Sequence, residues 1–426
     1  MKICVFSLGC KVNESECNSI ASGLKNAGFD AEAGLFPADI YVLNTCAVTK
    51  EAEKKSRQAI ARVKKLSPQC KVVVTGCASE KAPRDFADKE GVAFVIGTGR
   101  KSRVIEEVKN IASGKMPSAV IADSPRDQKE TEPFDELPPA VTSRARADVK
   151  VQDGCNNFCS YCIIPYLRGR ERSREIENIR KEILALTPLE TVLTGINLSA
   201  YRVKEGGLSQ LLTALADVKT RIRLGSLEVR VITDEFLTAC KNLYDFAPHF
   251  HLSLQSGSDV VLKGMNRHYT AAEYLEKVAL IRSYFPDAAV TTDVISGFPT
   301  ETEEEFANSY KTVEKAAFSA VHCFPFSPRE GTKAALLPDL DKEVKKQRND
   351  RMMRLSVELS SRWTNAHLGK SLEWIAEECE NGYTFGYTGN YIRVKVAGRV
   401  PLGVYLVTLK QAEADAVVGE IERKIR

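Results

Sequence analysis

The chain has 426 residues, 43% of them hydrophobic and 27% charged, with a formal net charge of +4. That length exceeds one small core and predicts two or three domains, and the balance is that of an ordinary soluble protein. No run approaches eighteen apolar residues, which argues against a membrane helix, and the opening MKICVFSLGC is too brief an apolar stretch for a secretory signal. A cytoplasmic location is the expectation. There, twelve cysteines beside only five histidines suggest metal or redox use rather than a disulfide framework.

Residues 1–112 alternate short β-branched runs (KICVFSL, DIYVLN, KVVVTG, VAFVIG) with helical stretches such as ECNSIASGLKNAG and EKKSRQAIARVKK. This β-α repeat predicts a parallel, Rossmann- or flavodoxin-like sheet covered by helices. Three of the runs end in SLGC, LNTC and VTGC, carrying Cys10, Cys46 and Cys77. Neighbouring parallel strands end on one edge, where ligands bind. Three thiolates separated widely in sequence would therefore converge, with Gly9, Thr45 and Gly76 leaving room beside them. Three buried structural cysteines are the competing reading. A basic helix, with Lys50, Lys54, Lys55, Arg57, Arg62, Lys64 and Lys65, lies beside the Cys46 edge. It is either a solvated face or a nucleic-acid footprint.

Residues 113–140 hold five prolines (Pro117, Pro125, Pro133, Pro138 and Pro139) among many charges and read as a linker. From about 141 the alternation resumes. DVKVQ, TVLTG, IRLGSLEV, FHLSLQ, VTTDVIS and AVHCFPF are six strand candidates with helices between them. They predict a partial (β/α)6 barrel whose site lies at the C-terminal strand ends. A charged helix near 341–368 leads to 370–426, which reads as a small all-β module.

After the first of these six strands comes GCNNFCSYC, with Cys155, Cys159 and Cys162 in a C-x3-C-x2-C spacing. Soft thiolates suit zinc or iron–sulfur. Structural zinc wants four closed ligands, usually as paired C-x2-C motifs, and no second pair is nearby. A four-iron cube on three cysteines would leave one iron open.

With Tyr161 as the aromatic before the last cysteine, this motif resembles that of the radical S-adenosylmethionine (SAM) superfamily. The resemblance implies that SAM chelates the open iron and is cleaved there to a 5′-deoxyadenosyl radical. Thr194, Gly195 and Asn197 in LTGIN, Glu228 in GSLEVR, Ser253 and Gln255 in HLSLQSGSD, and Arg267 in MNRHY stand where the superfamily contacts SAM. Around Glu228 the neighbouring residues depart from the family's usual Ser-Ser-Ile-Glu-Pro.

The two cysteine trios, together with LGCKVNESE, NTCAVTKEAEKKSR, DGCNNFCSYCIIPYLRGRERSR and DVISGFPTETEEEF, resemble the radical-SAM methylthiotransferases over essentially the whole chain. The resemblance implies two [4Fe–4S] clusters, the one at Cys155, Cys159 and Cys162 making the radical and the one at Cys10, Cys46 and Cys77 holding or donating sulfur. It also implies SAM as methyl and radical source, a sulfur donor, and a low-potential electron donor such as flavodoxin or ferredoxin. The division becomes 1–112 auxiliary-cluster domain, 113–140 linker, 141–369 radical-SAM core and 370–426 TRAM domain, an OB-like RNA-binding barrel.

Lys11, Val12 and Asn13 after the first cysteine favour the branch that modifies N6-threonylcarbamoyladenosine (t6A) at position 37, in the tRNA anticodon stem-loop. The alternatives are isopentenyladenosine in tRNA and a ribosomal-protein aspartate. A non-catalytic zinc-dependent RNA-binding protein is the alternative from another class. Arg168, Arg170, Arg172 and Arg174 alternate and, in an extended chain, would share one phosphate-facing side. Tyr391, Arg393 and Lys395 alternate with Ile392, Val394 and Val396, which would give the module a stacking ring and two cations on one face.

Overall fold

Strands at the N-terminus are near-continuous apolar runs because both of their faces are covered. The computed structural model describes residues 1–115, 133–140 and 145–426. Its first unit comprises β1 (Lys2–Ser7), α1 (Lys11–Asn26), β2 (Asp30–Ala33), β3 (Ile40–Thr45), α2 (Lys50–Leu66), β4 (Lys71–Gly76), α3 (Cys77–Lys81), α4 (Arg84–Ala87), β5 (Val92–Val95) and α5 (Ser102–Ala112). The sheet is parallel with order β2-β1-β3-β4-β5, the flavodoxin-like order, whose switch point lies between β1 and β3. Alternation divides the side chains. Ile3, Val5, Val42 and Val73 pack under α1 and α5, whereas Cys4, Tyr41, Leu43, Val72 and Val74 pack under α2. Each such buried aliphatic side chain contributes about 1.5–3 kcal/mol. Strand β2 was not expected. It is a four-residue edge strand, DAEA, whose charged residues are the pattern that keeps an edge from pairing further.

The expected linker is partly built into the structure. Pro117 and Pro125 lie outside the described residues. Of the rest, Asp135 accepts from the Ser102 backbone N–H and hydroxyl at the start of α5 (3.1 and 2.7 Å), and Glu136 pairs with Arg174 at 2.7 Å.

The second unit begins with β6 (Arg146–Lys150), the ribbon β7 (Gln152–Asp153) and β8 (Arg172–Ser173) with α6 (Ile164–Arg168) between them, α7 (Ile176–Leu186) and β9 (Glu190–Thr194). A small hairpin, β10 (Arg202–Val203) and β11 (Gly206–Gly207), precedes α8 (Leu208–Ala214), β12 (Arg221–Leu224), β13 (Ser226–Leu227), α9 (Asp234–Lys241) and β14 (Asp245–Phe246). The unit continues with β15 (His249–Leu252), α10 (Asp259–Gly264), α11 (Ala271–Tyr284), β16 (Ala289–Ser296), α12 (Glu303–Ala316), β17 (Ala320–Pro325) and the long α13 (Lys342–Asn365). Strand β12 runs on through Gly225 into β13, pairing first with β9 and then β13 with β15. The two four-stranded sheets thus form one curved row, β6-β9-β12/β13-β15-β16-β17, with β14 beside β12. This is the expected partial barrel, and among the described residues β6 and β17 do not pair. Outward side chains (Val149, Leu193, Ile222, Leu224, Phe250, Leu252, Val290) build the core with the helices. The alternate, inward positions are polar: Arg146, Glu190, Arg223, His249, His251, Asp293 and His322.

The third unit is a closed barrel, β18 (Ser371–Glu380), β19 (Tyr383–Thr388), β20 (Arg393–Ala397), β21 (Gly403–Ala412) and β22 (Val417–Lys424), in the order β18-β19-β20-β22-β21 around Trp374, Val394, Val407 and Leu409. It sits against the row of parallel strands through charged contacts. Arg223 donates to the Thr388 and Gly389 carbonyls, Arg221 pairs with Glu373 and Arg146 with Glu377.

Candidate functional site

The loop carrying Cys155, Cys159 and Cys162 leaves β7 at the C-terminal edge of β6, and local bonds set its shape. Gly154 adopts φ +70°, and a Cβ there would collide with the Arg170 carbonyl, so only glycine fits. Gln152 ties the loop to the end of β9: its Nε2 donates to the Gly154 carbonyl and its Oε1 accepts from the Asn197 N–H, both at 2.8 Å. Ser160 donates its hydroxyl to the Gly264 carbonyl (2.7 Å), and Asn266 donates to the carbonyls of Asn157 and Phe158.

The three thiols open onto a cavity of about 150 Å³. Six of the eight residues expected to meet SAM line it with them: Tyr161, Asn197, Glu228, Ser253, Gln255 and Arg267. Arg267 donates to Cys159 Sγ at 3.5 Å and to Glu228 at 2.8 Å, and Asn197 Nδ2 stands 4.0 Å from Cys155 Sγ. Glu228 also accepts from Asn157 at 2.6 Å, so its carboxylate keeps its inward place although its neighbours differ from the family pattern. Gln255 is held at φ +67°, an uncommon conformation for a residue with a side chain, by its bonds with Asp293 and Ile295. Thr194 and Gly195 fall outside the lining. Thr194 is buried with its carbonyl accepting from Val151, and Gly195 packs on Gln152. Burial pushes the thiols of Cys155 and Cys162 up to about 11 and about 12. A bound cation would reverse that preference.

The second trio is built by topology. Cys10 caps α1 after β1, Cys46 follows β3, and Cys77 opens α3 after β4. Cys10 and Cys46 therefore flank the β1/β3 switch point. Burial raises Cys77 and pushes Cys46 up to about 11, and the three thiols lie close enough for their charges to interact. Asn13 holds the bends, donating to the Leu8 carbonyl at 2.8 Å and the Thr45 carbonyl at 3.1 Å.

Arg168 links Cys77 of one trio to Asp153 at the base of the loop that carries the other, and this corrects the expected arginine row. Its guanidinium, 1% exposed, donates to Cys77 Sγ (3.4 Å), Asn13 Oδ1 (2.8 Å), and Glu16 and Asp153 (both 3.0 Å). Arg174 is buried between Glu136 and Glu182, and Arg172 pairs with Asp153 at 3.1 Å. Only Arg170 is exposed, over the Phe158 ring at 4.9 Å. The four do not share a face, because the chain turns through α6 and Gly169 before β8. Lys101 and Lys150 complete the buried network around Glu16, and these cations, with Arg168, hold its carboxyl well below the usual range despite burial.

The C-terminal trio is corrected too. Tyr391 precedes β20 at φ +66°, its ring stacked on His249 at 4.4 Å and on Tyr387 at 4.8 Å. It faces the parallel strands and does not alternate with Arg393 and Lys395. Arg393 lies over Phe385 at 4.5 Å, and Lys395 pairs with Glu413 and Asp415 at 2.7 and 2.8 Å.

The inward cluster of His251, Asp293 and His322, whose ligand atoms lie within 4.8 Å of one another, was not anticipated. Its signal was present as polar residues at alternate positions of otherwise apolar strands. Nothing in the sequence reveals that Glu16, Lys101 and Asp153 would be buried together.

Comparison with known proteins finds two family models on the chain. Residues 2–97 match the uncharacterized protein family UPF0004, and residues 149–313 match the radical SAM superfamily. The chain is 36% identical to the threonylcarbamoyladenosine tRNA methylthiotransferase MtaB of Bacillus subtilis, over 97% of this chain and 94% of the relative. It is also 36% identical to the protein of the same name from Aquifex aeolicus, over 95% and 98%. Identity to a tRNA-2-methylthio-N(6)-dimethylallyladenosine synthase of Moorella thermoacetica is 33%, over 88% and 86%. Among solved structures, the radical SAM methyltransferase TsrM of Kitasatospora setae matches 76% of this chain and 75% of its own with a TM-score of 0.55 at 15% identity, a likeness of fold.

Proposed function

Since the chain belongs to the MtaB-like radical-SAM methylthiotransferases, we propose that it inserts a methylthio group at C2 of t6A at position 37 of tRNA. The observation that carries this reading is the buried arginine that bonds Cys77 of one cysteine trio and Asp153, two residues before the other, together with the cavity of suitable donors beside that second trio.

Both trios suit a four-iron cluster in their donor set. Each offers three thiols and an N–H donor aimed at a sulfur, Arg267 in one and Arg168 in the other. When bound, the clusters and SAM supply the radical that takes the C2 hydrogen, and the sulfur and methyl group that replace it. The chain's own part is placement. Cys155, Cys159 and Cys162 would hold the radical-generating cluster, and Cys10, Cys46 and Cys77 the sulfur-bearing one. Asn197, Glu228, Ser253, Gln255 and Arg267 would orient the amino-acid portion of SAM beside the first trio, while Tyr161 walls the cavity. Arg168 would hold the auxiliary trio in register with the radical loop.

The division proposed is 1–112, a linker at 113–140, 141–369 and 370–426, the last as a TRAM-type RNA-binding barrel. Arg170 beside Phe158 and Tyr166, on a groove of about 570 Å³, would meet the anticodon stem-loop. Among the described residues no helix is long and apolar enough to cross a membrane; a cytoplasmic site, a separate sulfur source and a flavodoxin- or ferredoxin-type electron donor complete the proposal.

Nucleoside mass spectrometry of tRNA from cells with and without the protein tests the reading. The 2-methylthio derivative of t6A should disappear without it. An unchanged level would refute the substrate, and loss of the dimethylallyl product instead would assign the protein to the other tRNA branch.

A further inference from the structure

The inner face of the barrel is crowded with cations, and nearly all are neutralised. Arg223 lies against Glu190 at 2.7 Å, Arg146 against Glu190 at 2.9 Å and Glu377 at 2.7 Å, and Lys150 against Glu16 at 2.8 Å and Asp153 at 2.6 Å. Lys11 is different. It is exposed at the start of α1, one residue beyond Cys10, and has no carboxylate partner among the described residues. Its ammonium stands 5.8 Å from the centre of the Tyr391 ring, which stacks on His249. Burial is the main reason that His249 and His322 resist protonation, and the Lys11 charge is near enough to both to add to it. His322 lies 5.8 Å, ring to ring, from His251, which in turn bonds Asp293 at 3.2 Å. The site therefore combines an ammonium with no carboxylate partner of its own, an aromatic floor and an imidazole that, even neutral, can donate an N–H, and that imidazole also lies within 4.8 Å of the Asp293 carboxylate.

A cation with no carboxylate partner of its own, beside a reacting group, suits an anionic part of the substrate. In adenine, C2 and C6 both neighbour N1, so the substituent on N6 and the carbon to be modified lie on one edge of the base. A base presenting C2 to the Cys10 side brings its N6 substituent toward the residue that follows Cys10. Threonylcarbamoyl ends in a carboxylate, whereas dimethylallyl is uncharged.

We propose that Lys11, assisted by His322, forms the anion site that receives the carboxylate of the N6-threonylcarbamoyl group and so selects this substrate over an adenosine whose N6 group is neutral. The proposal rests on the t6A reading above. It adds a residue-level cause of selectivity. A charge-assisted hydrogen bond changes affinity by about tenfold.

The test uses the cluster-loaded full chain and synthetic anticodon stem-loops that differ only at position 37: t6A, its neutral methyl ester, and dimethylallyladenosine. Affinity is read by fluorescence anisotropy and turnover by mass spectrometry. The wild type should prefer t6A to its methyl ester by about tenfold in affinity. Lys11→Met should lose that preference, Lys11→Arg should restore most of it, and His322→Gln should reduce it. Iron content and the circular dichroism of each variant show whether it is folded and loaded. If the wild type binds acid and ester equally, the anion site is wrong whatever the variants do. The same holds if Lys11→Met keeps the preference. If the wild type converts dimethylallyladenosine and leaves t6A untouched, the functional reading fails first, which separates the two failures.

Discussion

The two cysteine trios reach the same donor set by opposite routes. Cys155, Cys159 and Cys162 lie within eight residues of one loop, shaped by Gly154, Ser160 and Asn266. Cys10, Cys46 and Cys77 come from the ends of three strands and exist as a group only because the sheet order puts β1, β3 and β4 side by side. A local site should fail locally, whereas a topological site should fail with its sheet. The largest expected effects follow from that division. Cys155→Ala should abolish formation of 5′-deoxyadenosine from SAM. Cys46→Ala should leave that cleavage in place while ending methylthio insertion, with iron falling from about eight to about four per chain. Product from the Cys46 variant would remove the auxiliary trio from the chemistry.

Arg168 is where the separation of the two sites should break down. Its guanidinium touches Cys77 on one side and Asp153, two residues before Cys155, on the other. Replacing it with methionine removes one partner of a buried charge network and should cost about 3–5 kcal/mol, toward the lower end because Lys101 and Lys150 remain beside Glu16. Denaturant unfolding of the cluster-loaded protein measures the cost. Equal loss of iron from both trios would show that they share one foundation, and loss from the auxiliary trio alone would show that the radical loop stands by itself.

The barrel's opposite end gives a pH-dependent test. Glu190 is buried between Arg223 and Arg146, and although burial opposes its charge, these arginines bring its carboxyl down to about 2, from an ordinary value near 4.5. A carboxyl lowered by folding contributes stability that is fully present above its unfolded pKa and is lost as pH falls through the folded one. The shift corresponds to about 3 kcal/mol. The stability gap between wild type and Glu190→Gln should therefore be largest at pH 6 and shrink as pH falls from about 4.5 toward 2. Thermal melts of both proteins across that range would show it, and a gap that stays constant would mean that the ion pair is not what Glu190 contributes.

Legibility in the sequence followed the same contrast. GCNNFCSYC could be read outright because its spacing is its geometry. The strand-end cysteines could be read because parallel strands share an edge, an inference that needs only the β-α alternation. The arginines at 168, 170, 172 and 174 misled because alternation implies one face only in an extended chain. The chain here passes through α6 and Gly169, and Arg168 turns inward to Glu16, 152 residues away. Tyr391 misled for a related reason: a left-handed residue before β20 breaks the alternation that Arg393 and Lys395 keep. Pairings across such separations are set by how whole units dock, and no local pattern records that.

The smallest effect tests whether the auxiliary trio depends on the closeness of its strand ends. Gly76 sits at φ +106° immediately before Cys77, and a Cβ there would lie 2.5 Å from the Thr45 nitrogen and 2.6 Å from Asn44 Oδ1. Gly28, at φ +89°, has open space around it. Alanine at Gly28 should cost only the backbone strain of a left-handed residue, about 1 kcal/mol. Alanine at Gly76 should add the displacement of β3 from β4, for a total of about 1–3 kcal/mol, and should lower the iron held by Cys10, Cys46 and Cys77 while leaving SAM cleavage intact. Urea unfolding and iron analysis of the two variants side by side decide the matter. If both cost the same and both keep full iron, the β3–β4 contact is loose enough to absorb a methyl group. The convergence of the three thiols would then owe less to tight strand ends than to Arg168.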